Sequence, residues 1–131
     1  MTATTATPAT TSTGRVWFAA DAAVAGANAA AYLLVGTQLA DLLGGSADTY
    51  RWAGGFLVAF ALGVAVYARS TMPAAAGWAI VVANVLWVIG SLEVAATGAL
   101  GLDGPGRGWV LAQAVVVGVF AVLQGRSLRR R

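Results

Sequence analysis

The chain has 131 residues, room for one domain, and only 10% of them are charged while 59% are hydrophobic. A soluble domain carries about a quarter charged residues. A net charge of +3 built from Arg alone, with no His and no Cys, excludes disulfides, thiolate chemistry, iron–sulfur ligation and His-ligated zinc or haem.

The missing His also removes the usual general base near neutral pH. No helix face carries a close carboxylate pair, so the residues predict no enzyme, no cofactor and no metal site. The Arg residues flank apolar segments and do not form a stripe with aromatics. That argues against a nucleic-acid partner and fits anionic headgroups of a lipid bilayer. All-Arg, Ala- and Val-rich usage fits a bacterial gene.

Residues 1–14, MTATTATPATTSTG, are Thr/Ala-rich and uncharged. They cannot bury a core and read as a disordered tail. They lack the basic residues that precede the apolar core of a signal peptide, so the first helix reads as an uncleaved span. Residues 15–131 read as an all-α, integral membrane, antiparallel four-helix bundle, with spans at about 20–43, 51–69, 74–100 and 108–126.

The first segment begins near Val16, behind Arg15, with Trp17 and Phe18 suited to a membrane interface, and ends near Leu43. Gly44-Gly45-Ser46 breaks it, and Asp48 is placed to cap the next helix. The second runs from Tyr50 to Ala68. Pro73 fits the start of the third, which continues to Leu100. The stretch 101–108, GLDGPGRG, reads as a turn through which no helix continues. The fourth starts at Trp109 and ends in Arg126 and Arg129-Arg130-Arg131.

Four spans put both termini on one side. Arg15, Arg69, Arg126, Arg129, Arg130 and Arg131 fall on that side, against Arg51 and Arg107 on the other. This bias predicts cytoplasmic termini in a bacterial inner (plasma) membrane. Gly55, Ala59 and Gly63, spaced by four, predict a close packing face on the second helix, as do Gly26 with Ala30 and Ala114 with Gly118.

Polar side chains within spans are expensive and turn toward a bundle interior. Asp21, Asn28 and Tyr32 share a face of the first helix, and Asn84 and Ser91 share one on the third beside Trp87. Gln113 and Gln124 align on the fourth. Asp21, Asn28, Asn84 and Gln124 are expected in the cytoplasmic half. Ser91, Glu93 and Gln113 are expected in the outer half. Interhelical hydrogen bonding, worth about 0.6 kcal/mol per pair, is the plainer account of the Asn, Gln and Ser residues. Asp21 reads as interfacial, near a helix start or paired with Arg15 or Arg126. Glu93 is the intramembrane acid, free to pair with Arg107 or to serve a proton- or cation-coupled site. Trp17, Trp52, Trp78 and Trp109 fit an interfacial belt, while Trp87 is placed to pack between helices.

Asn84, Trp87 and Ser91 (N-x-x-W-x-x-x-S), Ala112-Gln113-Ala114, and Leu123-Gln124 followed by Leu128-Arg129-Arg130 form a pattern that resembles a group of small bacterial four-span proteins of unknown function. Asp21, Arg51 and Gly54 extend it toward the N-terminus. The resemblance implies a helical membrane fold and carries no activity. In length and in four short spans the chain also resembles the small multidrug resistance family, whose members work as dimers. That family depends on a Glu in the middle of its first helix. Here the first segment has only Asp21 and Asp41, near its expected ends, which is at odds with that mechanism.

The residues favour the first of two functions, with the second as the alternative. An accessory or scaffold subunit, associating with itself or with another membrane protein, would show tight packing between the polar stripes. A small proton- or cation-coupled transporter or channel would show an interior cavity touching Glu93 or Asp21.

Overall fold

The computed structural model describes residues 6–131, with side chains described from Gly14 onward. Among these residues the protein is all-α: α1 (Ala6–Leu34), α2 (Gly36–Leu43), α3 (Ala47–Arg69), α4 (Ala74–Thr97) and α5 (Gly104–Arg129). Four stretches are long and apolar enough to cross a membrane: Gly14–Leu34, Ala47–Arg69, Ala74–Thr97 and Gly104–Arg129. Their outward faces carry bulky apolar side chains, including Leu62, Val66, Val115 and Trp52, the last 82% exposed.

The first expected span, 20–43, is two helices. The backbone leaves α-geometry at Val35 (φ −126°, ψ 31°) and restarts at Gly36 as a short helix. A β-branched residue followed by Gly is a weak point for helix propagation. The candidate span therefore ends earlier than expected, at Leu34. Helix α1 also reaches back to Ala6, into the segment read as a tail. Pro8 falls in its first turn, where an amide hydrogen has no intrahelical acceptor. The remainder of the tail, residues 1–5, lies outside the described residues.

Two other boundaries are set by caps. Ser46, and not Asp48, caps α3: its Oγ accepts from Thr49 N at 3.2 Å. Asp48 instead pairs with Arg51 at 3.3 Å. The turn expected over 101–108 is shorter and earlier. Helix α4 stops at Thr97, with Gly98 in the left-handed region at φ 69°. Helix α5 begins at Gly104, because Asp103 Oδ1 accepts from Gly106 N at 2.8 Å and Pro105 occupies the first turn. Backbone bonds from Gly45 N to Gly101 O at 3.1 Å and from Asp103 N to Leu43 O at 3.0 Å tie the α2–α3 turn to the α4–α5 turn.

Helix α1 packs mainly on α3 and also on α5, and α4 packs on α5, whereas α3 and α4 scarcely touch although they are consecutive. Two apolar clusters fill the contacts. One, at the end near the α3–α4 turn, holds Phe18, Val64, Tyr67, Met72, Val81 and Leu128, with Phe18 edge-on to Tyr67 at 4.8 Å. The other holds Tyr32, Leu43, Tyr50, Leu57 and Leu102, with Tyr32 edge-on to Tyr50 at 5.4 Å.

The small-residue face expected on the second span points outward. Gly55, Ala59 and Gly63 are all exposed, and a Cβ added at either glycine would meet nothing within 4 Å. The close approach is made by the neighbouring Gly54, where a Cβ would lie 2.8 Å from Leu33 Cγ and 3.1 Å from Tyr32 Cβ. A residue shift of one turns a helix by about 100°, which separates a glycine used for packing from one that is not. Gly26 faces Ala61 and Gly118 faces Val88, at 4.0 and 3.9 Å from an added Cβ. Ala114 is buried, while Ala30 is exposed.

Candidate functional site

Asp21 is 3% exposed and Gln124 is fully buried. Asn84, equally buried, completes a triangle that joins three helices. Asn84 Nδ2 donates to Asp21 Oδ2 at 2.8 Å and to Gln124 Oε1 at 3.0 Å. Gln124 Nε2 donates to the same Asp21 oxygen at 2.7 Å. Each helix contributes one residue because the three polar positions lie on the faces that α1, α4 and α5 turn toward one another. Ser127, one turn after Gln124, returns its hydroxyl to Gln124 O at 3.0 Å.

The expected pairing of Asp21 with Arg15 or Arg126 does not occur. Arg15 donates instead to Ala68 O and, at 3.2 Å, to Ser70 O, closing the carbonyl end of α3. Arg126 is exposed. Among the described residues the ion pair Arg51–Asp48 is the only one, so Asp21 has no cationic partner there. Nor is Asp21 at a span edge. It lies seven residues beyond Gly14 in the candidate span Gly14–Leu34, about 10 Å at 1.5 Å per residue.

A cavity of about 40 Å³ adjoins the triangle, lined by Asp21, Asn28, Asn84, Trp87 and Gln113 with Phe56, Phe60 and Phe120 among its apolar walls. A water needs about 10–15 Å³ by this measure, so the space suits water or a small ion. A larger groove of about 310 Å³ follows it along the sparse α3–α4 seam, lined by Tyr32, Tyr50, Trp87, Ser91, Trp109 and Gln113 among others. Trp87 and Gln113 border both spaces. Trp87 stacks on Phe56 with centroids 5.8 Å apart and planes 6° from parallel, a contact between α4 and α3.

A second polar junction sits in the groove. Tyr32 Oη accepts from Trp109 Nε1 at 2.9 Å and from Gln113 Nε2. Trp109 thus has a specific partner in addition to its place near a span end. Ser91 is buried beside this groove.

Of the residues singled out in the sequence, Asp21, Asn84 and Gln124 are in contact. Asn28 lines the same cavity, and Ser91, Trp87 and Gln113 lie along the seam. Glu93 stands apart. It is exposed and lines neither of these two spaces. Its backbone carbonyl accepts from Thr97 Oγ1 at 2.8 Å, and it has no side-chain bond to Arg107, whose guanidinium lies against Gly98. Tyr32 as a double acceptor was only half visible in the sequence, through its register with Asp21 and Asn28. Gly54 carried no periodic signal of its own. No protein-family model matches this chain, and no curated protein or solved structure matches it.

Proposed function

We propose that the chain is a small ion-handling membrane protein, a proton- or cation-coupled transporter or channel in which Asp21, and not Glu93, is the coupling acid. On this reading it is an antiparallel four-span bundle in a bacterial plasma membrane, with both termini cytoplasmic. The observation that carries the proposal is a buried carboxyl group with no cationic partner among the described residues, bordering a partly open cavity between the helices. An ionisable group held at such depth is costly, by about 2.5–3.5 kcal/mol at mid-bilayer on insertion scales. A purely structural contact between three helices could be built from the two amides alone. The Arg distribution supports the orientation, and the resemblance to small bacterial four-span proteins supports the compartment.

The test is ion flux in proteoliposomes. The parent protein and Glu93→Gln should dissipate an imposed proton or sodium gradient at similar rates, and Asp21→Asn should lower the rate at least tenfold. Equal flux in the parent and Asp21→Asn would overturn the proposal.

The sparse α3–α4 seam favours a second reading, an accessory subunit. Consecutive helices that leave a groove of about 310 Å³ between them expose surface against which a second copy or another membrane protein can pack. Co-purification of a stoichiometric membrane partner, with no flux from the isolated chain, would put that reading first.

A further inference from the structure

Asp21 spends only one of its two carboxylate oxygens on the protein. Both amide donors converge on Oδ2, and Oδ1 accepts no hydrogen bond among the described residues. No wholly buried side-chain nitrogen or oxygen there lacks a partner, so Oδ1 is not sealed off, and its residue lines the cavity. The same reasoning applies to Asn84. Its Nδ2 serves both neighbours, while its Oδ1 accepts nothing among the described residues and its side chain lines the same cavity. Each residue thus brings one uncommitted oxygen to the wall of the same cavity.

The chemistry of this pair is narrow. A buried carboxylate needs a neutralising partner, and among the described residues no Arg side chain supplies one. Both amide N–H groups donate to Oδ2, which leaves Oδ1 as the oxygen that would meet a cation. Hard oxygen donors select alkali or alkaline-earth ions over softer metals. One negative charge balances a monovalent ion and would leave a divalent ion with excess positive charge in an apolar surrounding. A cavity of about 40 Å³ admits a small ion with a few waters.

We propose, building on the reading of Asp21 as the coupling acid, that Asp21 Oδ1 and Asn84 Oδ1 hold a partly hydrated monovalent cation of the sodium class. Asn28 lies two turns further along α1, about 10 Å away, and lines the same space toward Gln113 and Trp87. It marks the route between the ion and the seam.

The experiment is thermal unfolding of the purified full chain in detergent, with NaCl titrated against choline chloride at constant ionic strength and at several pH values. Sodium should raise the midpoint in a saturable way by about 5 °C. Asp21→Asn should abolish the rise, Asn84→Ala should shift its half-saturation to at least tenfold more sodium, and Glu93→Gln should retain it. A midpoint that ignores sodium but follows pH in an Asp21-dependent way would make the occupant a proton, overturning the cation while leaving Asp21 as the coupling acid. A midpoint indifferent to both, with Asp21→Asn as conductive as the parent, would overturn the cation and the coupling role together.

Discussion

Gln124 on α5 reaches across 103 positions of sequence to donate its Nε2 hydrogen to Asp21 Oδ2 on α1 at 2.7 Å. With Asn84 from α4, this bond makes the first, fourth and fifth helices mutually dependent. Replacing Gln124 by Leu leaves Asp21 with a single donor in a buried setting. The expected loss is about 1–2 kcal/mol, toward the upper end measured for interhelical hydrogen bonds in membrane proteins. Asn84→Ala should couple to it, so that the double variant loses less than the sum of the two singles. Equilibrium unfolding of the singles and the double in one detergent checks both statements.

Tyr32 is the equivalent junction at the other end. Tyr32→Phe keeps the ring against Tyr50 at 5.4 Å but removes the acceptor shared by Trp109 and Gln113. Stability should fall by about 1 kcal/mol. The emission of Trp109, read in a variant whose other four Trp are Phe, should change wavelength as its indole N–H loses its partner. Unchanged emission would mean that the bond contributes nothing to the environment of Trp109.

Adjacent glycines on α3 should respond in opposite ways. At Gly54 an added Cβ falls 2.8 Å from Leu33 Cγ and 3.1 Å from Tyr32 Cβ, and at Gly55 it meets nothing within 4 Å. Gly54→Ala should cost about 1–3 kcal/mol by overpacking the α1–α3 contact. Gly55→Ala should be neutral or stabilising by up to about 1 kcal/mol, through reduced backbone freedom in the unfolded chain. Thermal midpoints of the two single variants decide it.

The orientation is testable separately. Reporters fused to the two ends should both report the cytoplasm, as six Arg on the terminal side and two on the other predict. Removing positive charge from the terminal side, by replacing Arg129 and Arg130 with Asn, should weaken the bias, since both Arg are exposed. A C-terminal reporter that is active outside in the parent chain would reject the assigned orientation.

The existence of four apolar spans was legible because apolar runs of about 20 residues have few other uses. Their boundaries were less so. Asp21 reads as an edge residue if the first span is taken to start at about residue 20, and as an interior one once the helix starts earlier and ends at Leu34. The break at Val35 has no strong local marker. Gly36 sits within an apolar run, and its closest neighbours, Ala47 O and Tyr50 Cβ at 3.6 Å from an added Cβ, come from another helix. The polar register was informative. Asp21, Asn84 and Gln124 were each placed on inward stripes and in one half of the bundle, and they meet. Which acid is buried was not legible, because Glu93 and Asp21 differ in how neighbouring helices cover them. Small-residue spacing failed on α3 because a stripe of Gly and Ala satisfies the pattern whether or not a helix lies opposite it.

The most direct test of Asp21 as the coupling acid is to move its carboxylate within its own cavity. Asp21→Asn combined with Asn84→Asp places the acid on α4, beside the position it leaves, with Gln124 as common neighbour of both. Sodium and proton flux would be measured in proteoliposomes for the parent, Asp21→Asn and the exchanged pair. Recovery of at least a tenth of parental flux in the exchanged pair, against a near-silent Asp21→Asn, is the result expected if a carboxylate facing that cavity carries the function. Parental flux in Asp21→Asn alone would contradict it.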